Sequence, residues 1–176
     1  MAAISTVAQN IVQANKKYAE NEFRNKALGK LDSAKPSKQL IVVTCMDSRI
    51  DPLTSLGLVE GEAHIIRNAG GLAKDAIRSI LISQQLLGTR KIAIFRHSGC
   101  GMVTFEEPQT KREIAQKLGP ESEKPLDKLD MMPFKDMDES LREDKEFLKT
   151  HPLIDPETEV VGFVYHVENG LLKQVV

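Results

Sequence analysis

Apolar residues near the N-terminus recur at Ile4, Val7, Ile11, Ala14 and Tyr18. Their spacing alternates three and four, which predicts one apolar stripe on a helix whose remaining surface is mostly polar. A terminal helix of this kind has to dock, either on its own domain or on a partner subunit. Gly29 and the stretch Asp32-Ser33-Ala34-Lys35-Pro36-Ser37 end the pattern. The period then changes. Residues 39–44 are a short β-branched run and read as a buried strand. Residues 63–67 are a second, weaker strand, and 91–96 a third. Between these two, Gly70-Gly71 precedes a helix over about 74–87, with Gly88 placed as its C-terminal stop. Strands alternating with helices predict parallel βαβ units and an α/β fold.

After Phe105 the chain is charged and punctuated by Pro108, Pro120, Pro125 and Pro133. A short helix is expected near 111–118, then a surface connection, then a helix over about 136–149. The charge-rich stretch 111–149 reads as a solvated face. Residues 160–167 form a further strand. Asn169-Gly170 is a hairpin signal that sends 171–176 back antiparallel. The expectation is one domain over 1–176: a mostly parallel central sheet flanked by helices, a helical arm over 1–30 and a C-terminal β-hairpin.

Composition narrows this picture little. A chain of 176 residues can bury a substantial core, and 41% hydrophobic with 28% charged residues is ordinary for a soluble globular protein. A net charge of −1 gives no long-range attraction to nucleic acid or to an anionic membrane. No apolar run approaches a membrane span. The N-terminus lacks a basic start followed by an apolar block and a cleavage site, and Glu20 and Glu22 precede its first arginine, Arg24. A cytoplasmic protein is therefore expected. In a reducing compartment its two cysteines, Cys45 and Cys100, are buried small residues or ligands rather than a disulfide.

The neighbours of those cysteines carry the chemistry. The first strand runs into Cys45-Met46-Asp47-Ser48-Arg49 and the third into His97-Ser98-Gly99-Cys100-Gly101. Both clusters follow the carboxyl ends of predicted parallel strands, where open α/β sheets bind ligands at the point of strand-order reversal. If strands one and three are neighbours, right-handed crossovers bring the clusters together. Cys45, His97 and Cys100 are a suitable ligand set for zinc and leave a fourth tetrahedral position open. Zinc would acidify a bound water from a pKa of about 15.7 toward roughly 7 and so supply hydroxide. Two thiolates soften that effect, so a further group has to assist. Asp47 is either a fourth ligand or an acceptor that orients the water. Arg49 can hold it by a bidentate fork, ionised and drawn away from the metal. Gly99 and Gly101 allow the backbone to fold closely around an ion. Backbone N–H groups at Gly70-Gly71 are placed to face an anion such as bicarbonate. His64, His151 and His166 have no partners of ligand type; His64 and His166 read as strand residues and His151 as part of a helix-ending His-Pro pair. A thiol redox switch through Cys45 and Cys100 is the metal-free alternative.

These residues resemble the β-class carbonic anhydrases. The resemblance rests on the two clusters above and on Arg67-Asn68-Ala69-Gly70-Gly71, in the family's order. It continues through the helix containing Ile77, Arg78 and Ser79 and through Gly162-Phe163, so it covers the chain from about Gln39 onward. Length and the Asn-Ala-Gly-Gly segment are similar to the compact branch called clade D. The resemblance implies one zinc ion per chain on Cys45, His97 and Cys100. It implies an Asp47–Arg49 dyad that admits water to the metal, with Asp47 as fourth ligand when the dyad is broken. Asn68, Ala69, Gly70 and Gly71 would line the substrate. The implied assembly is a homodimer or a higher homo-oligomer, with the N-terminal helix across its partner. The implied reaction is reversible hydration of CO2 to bicarbonate. The same branch contains carbonyl sulfide hydrolases with the same zinc residues, and a silent, zinc-stabilised bicarbonate-binding dimer is the non-enzymatic alternative. Two positions depart from the family: Gly99, where many compact members carry Asp, and Arg96, an arginine immediately before a ligand.

Overall fold

The computed structural model describes residues 6–23 and 34–176. The chain divides into two units, Met1–Ala34 and Lys35–Val176. In the first, α1 spans Thr6–Asn21 and carries no buried residue. Val7 and Ile11 of its stripe are 66% and 62% exposed. Ile4, Gly29, Asp32 and Ser33 lie outside the described residues, as does the expected boundary of the arm at residue 30.

The second unit is built on five strands: β1 Leu40–Cys45, β2 Ala63–Asn68, β3 Lys91–His97, β4 Glu159–Tyr165 and β5 Leu172–Gln174. Their order is β2-β1-β3-β4-β5. The first four are parallel and β5 runs antiparallel to β4. β1 and β3 are central, with nearly every residue buried. Burial on both faces is why they read as continuous apolar runs rather than alternating ones. β2 is an edge strand and only partly buried, which explains its weaker signal.

Helices α3, Ala73–Gln85, and α6, Met137–Thr150, cover one face of the sheet. Ala76 and Ile80 of α3 and Leu141 and Leu148 of α6 pack there on Ile41, Val43, Ile92, Ile94, Val160 and Val164. The opposite face buries Val42, Ala93 and Phe95 but leaves Ile65, Val161 and Phe163 only partly covered within this unit. Both helices have the ends their sequences predict. Gly88 takes a left-handed φ of 75° just past α3. Asp136 caps α6 by accepting the Glu139 N–H at 2.9 Å.

Other elements differ from expectation. The helix expected from 111 begins earlier, as α4 Glu107–Leu118, with Pro108 in its first turn. A proline there forfeits no hydrogen bond and has a helical φ, so it starts the helix rather than breaking it. The expected surface connection contains α5, Glu123–Lys128. A further short helix, α2 Pro52–Ser55, is capped by the Asp51 carboxylate. Helices of four to six residues are too short to show a period. β4 ends at Tyr165, so His166 belongs to the turn and not to a strand. There its carbonyl accepts the Gly170 N–H at 2.7 Å and its own N–H donates to Leu171 O. Among the described residues no helix is long and apolar enough to cross a membrane.

Candidate metal centre

The chain leaves β1 for β2 on one side and returns through α3 to β3 on the other. The strand order therefore reverses between β1 and β3, whose carboxyl ends carry the two motif clusters. Cys45 is the last residue of β1, His97 the last of β3, and Cys100 follows three residues later. All three are buried, and their ligand atoms lie within 4.8 Å of one another. Among the described residues His64, His151 and His166 join no such group; His64 Nδ1 instead lies 2.6 Å from Ser83 Oγ.

The imidazole of His97 is oriented by its own loop. Nδ1 lies 3.0 Å from the Ser98 carbonyl, which only accepts, so Nδ1 carries the proton. Nε2 is then left with a lone pair, buried and without a hydrogen-bond partner. A buried polar atom without a partner is costly. A cation shared with the two cysteine sulfurs would satisfy it, and the donor set of two sulfurs and one imidazole nitrogen suits zinc. The three residues can thus hold a metal ion.

Burial pushes the Cys100 thiol up from its ordinary value and holds the His97 imidazole down. Before metal arrives, the thiol is protonated near neutral pH and the imidazole is already neutral. If the site takes a metal, uptake should tighten as pH rises from about 6 to 8, with a slope of about one proton or more released per ion, because the Cys100 thiol must lose its proton to ligate. Competition against a chelator at several pH values measures that slope, and a flat profile would exclude the thiols as ligands.

Asp47 and Arg49 form the expected fork. Arg49 Nε donates to Oδ1 at 2.9 Å, a terminal nitrogen donates to Oδ2 at 2.8 Å, and the Arg49 backbone N–H adds a third bond to Oδ1. The guanidinium bonds hold the Asp47 carboxyl well below the usual carboxylate range. Asp47 Oδ2 sits 3.8 Å from His97 Nε2, beyond hydrogen-bond distance. Arg49 also donates to the Gly99 carbonyl at 3.1 Å, so it ties the two motif loops together. Gly99 presents that carbonyl from a left-handed φ of 63°.

The segment Asn68, Ala69, Gly70 and Gly71 packs behind the cluster. Asn68 clamps its own turn: its amide donates to Leu72 O and accepts the Leu72 N–H, at 2.9 and 2.8 Å. Ala69–Gly71 is a single 3₁₀ turn with both glycines at positive φ. Gly71 lies directly against the β1 and β3 backbones. Arg67 has a role that the sequence did not reveal. It donates to the carbonyls of Cys45 and Asp47, at 3.1 and 2.6 Å, and so fixes the loop that bears both residues. Its register opposite Thr44 puts it within reach, but register is visible only in the folded sheet.

A carbonic anhydrase family model matches residues 40–172. The chain is 40% identical to beta-carbonic anhydrase 1 of Mycobacterium tuberculosis over 147 residues, 80% of this chain and 83% of that protein. It is 31% identical to the carbon disulfide hydrolase of Acidianus sp. over 180 residues, 89% of this chain and 88% of that one. The solved carbonic anhydrase from Glaciozyma antarctica matches with a TM-score of 0.90 at 42% identity, covering 98% of this chain and 100% of that one. The motif order, the convergence of Cys45, His97 and Cys100 and these matches agree: the chain belongs to the β-class carbonic anhydrases and is an enzyme of that family.

Proposed function

We propose that the protein binds one zinc ion per chain and interconverts CO2 and bicarbonate. The observation that carries this reading is the unpartnered, buried Nε2 of His97 facing two cysteines beside an intact Asp47–Arg49 fork. Cys45, His97 and Cys100 would hold the ion. Bound there, zinc acts as a Lewis acid that brings the pKa of water from about 15.7 toward roughly 7. Asp47, kept ionised by Arg49, accepts a hydrogen bond from the attacking water and so aligns the oxygen lone pair with the substrate carbon. Arg49 keeps that carboxylate from becoming a fourth ligand. Ile50, Leu72, Met102 and Phe134 pack around the cysteines and exclude bulk water, which suits a small apolar substrate. Asn68, Ala69, Gly70 and Gly71 shape the same wall.

The whole chain acts as one zinc domain with its N-terminal helix as an arm, in a homodimer. The exposed Val7 and Ile11 and the half-covered sheet face at Ile65, Val161 and Phe163 support a second copy as the partner. Free cysteines used as ligands suit a cytoplasmic location. Carbonyl sulfide hydrolysis is the second reading, favoured by the likeness to a carbon disulfide hydrolase. The fork argues against a silent bicarbonate-binding dimer, because a purely structural ion needs no activating carboxylate.

One preparation of zinc-loaded enzyme, assayed with CO2, carbonyl sulfide and carbon disulfide, decides between the gases. CO2 hydration should be the fastest; faster release of hydrogen sulfide overturns the choice. Asp47→Ala should retain zinc while kcat/KM falls by about 100-fold or more, the scale of a positioned acid–base group. Near-normal turnover in that variant would discard the dyad role.

A further inference from the structure

Arg96 is the largest fully buried side chain among the described residues, at 0% exposure, and the chemistry above does not use it. It precedes His97 on β3, and strand side chains alternate, so it points to the opposite face from the imidazole. Its guanidinium reaches three separate segments. One terminal nitrogen donates to the Gly71 carbonyl. The other donates to the Asp144 carboxylate and, at 2.9 Å, to Ser140 Oγ, both on α6. The guanidinium carbon also sits 5.2 Å from the centroid of the Phe134 ring.

Asp144 is 2% exposed, and the oxygen that takes Arg96 also accepts the Ala73 N–H at 2.9 Å. The pair therefore holds the glycine turn on both sides of Leu72, by the carbonyl before it and the N–H after it. Phe134 closes over the same turn. A Cβ on Gly70 would lie 3.1 Å from Phe134 Cε1 and 3.0 Å from Met102 Cγ. Leu72, Phe134 and Met102 belong to the apolar cluster that contains Cys45 and Cys100. Stability alone explains such a pair poorly, because apolar residues of similar volume often serve as well. Apolar residues cannot, however, fix two backbone groups by directed bonds while holding an aromatic face.

We propose that Arg96, with Asp144 as its counter-ion, is a positioning residue that sets the Gly70–Leu72 turn and the Phe134 ring as one wall beside the Cys45–His97–Cys100 cluster. That wall fixes the space open to a small linear substrate. The inference rests on the zinc hydratase reading for the identity of the substrate only, not for the wall.

The test uses the full chain loaded with zinc or with cobalt. Arg96→Met/Asp144→Leu removes both charges, so neither is left buried alone. Thiocyanate, a linear triatomic anion, is titrated into the cobalt protein and followed by the visible cobalt bands. Metal content should be unchanged, while thiocyanate affinity falls by about tenfold and KM for CO2 rises more than kcat falls. Arg96→Lys, which keeps the charge without the fork, should fall between. Wild-type thiocyanate affinity with wild-type KM and kcat in the double variant, whatever its melting temperature, overturns the proposal. If the double variant does not fold, unchanged thiocyanate affinity in folded, metal-loaded Arg96→Lys overturns it instead. Loss of thiocyanate affinity in an enzyme that never hydrates CO2 would leave the wall standing and remove the hydratase reading.

Discussion

Cys45→Ala is expected to abolish both metal retention and turnover. Cys45 ends β1, whereas His97 ends β3 and Cys100 follows it, so an ion held by this group would join two strands through this one sulfur. Without it the remaining donors both come from one short segment, and an ion held by two donors is exchanged readily. Loss of an outer-shell partner costs roughly 10- to 100-fold in metal affinity, and loss of a ligand should exceed that range. The variant should also melt at a lower temperature than the metal-loaded parent, since binding free energy adds to folding free energy. Two measurements separate these effects. Metal analysis after gel filtration reports the stoichiometry. Melting in the presence of a chelator compares the metal-free proteins, where only a small packing difference of about 1 kcal/mol should remain. One zinc per chain retained in Cys45→Ala would remove Cys45 from the ligand set.

Gly71→Ala should be the most damaging single-atom addition in the second unit. A Cβ there would lie 2.7 Å from the Thr44 carbonyl carbon, 2.8 Å from the Cys45 nitrogen and 2.9 Å from the Phe95 carbonyl oxygen. All three are backbone atoms of the central strands, so no rotamer change relieves the collision. The φ of 68° adds strain for any residue with a Cβ, on the order of 1–2 kcal/mol. Overpacking adds about 1–3 kcal/mol more, and a shift of β1 would also move Cys45. The expected loss is about 3 kcal/mol or more, a large part of a typical domain's stability. Gly88→Ala is the control. Its φ of 75° carries the same strain, but nothing lies within 4 Å of the added carbon. Denaturant melts should show about 1–2 kcal/mol for Gly88→Ala and at least twice that for Gly71→Ala. Equal losses would mean that the close approach of Gly71 to β1 and β3 is not tight.

The legible parts of the fold are those whose signal is local. β1 and β3 announce themselves as largely apolar runs because both their faces are buried. The ends of α3 and α6 are marked by Gly88 and Asp136, whose backbone and side-chain chemistry act within one turn. By contrast, α2 and α5 are too short for a period, and the proline at the start of α4 has opposite meanings before and inside a helix. Arg96 was partly legible. As an arginine immediately before His97 it stood out, and the structure adds that it shares the buried face of Ile92 and Ile94. Its partner was not legible, because Asp144 stands 48 residues away on a helix that otherwise looks like a solvated surface.

Taken alone, the sequence determined the candidate residues: two thiols, one imidazole and an acid two residues before an arginine, each just past a predicted strand. Such assignments follow from side-chain type and short spacing, which need no folded context. Only the tertiary structure decided how these groups face one another. The neighbouring of β1 and β3 brings Cys45 to His97 and Cys100. The Ser98 carbonyl selects the His97 tautomer and leaves Nε2 buried without a partner. The Gly99 carbonyl and Arg67 lock the motif loops from residues distant in the chain. The Arg49–Gly99 and Arg67–Asp47 contacts join segments tens of residues apart, and only the pairing of β1 with β2 and β3 brings those segments within hydrogen-bond distance.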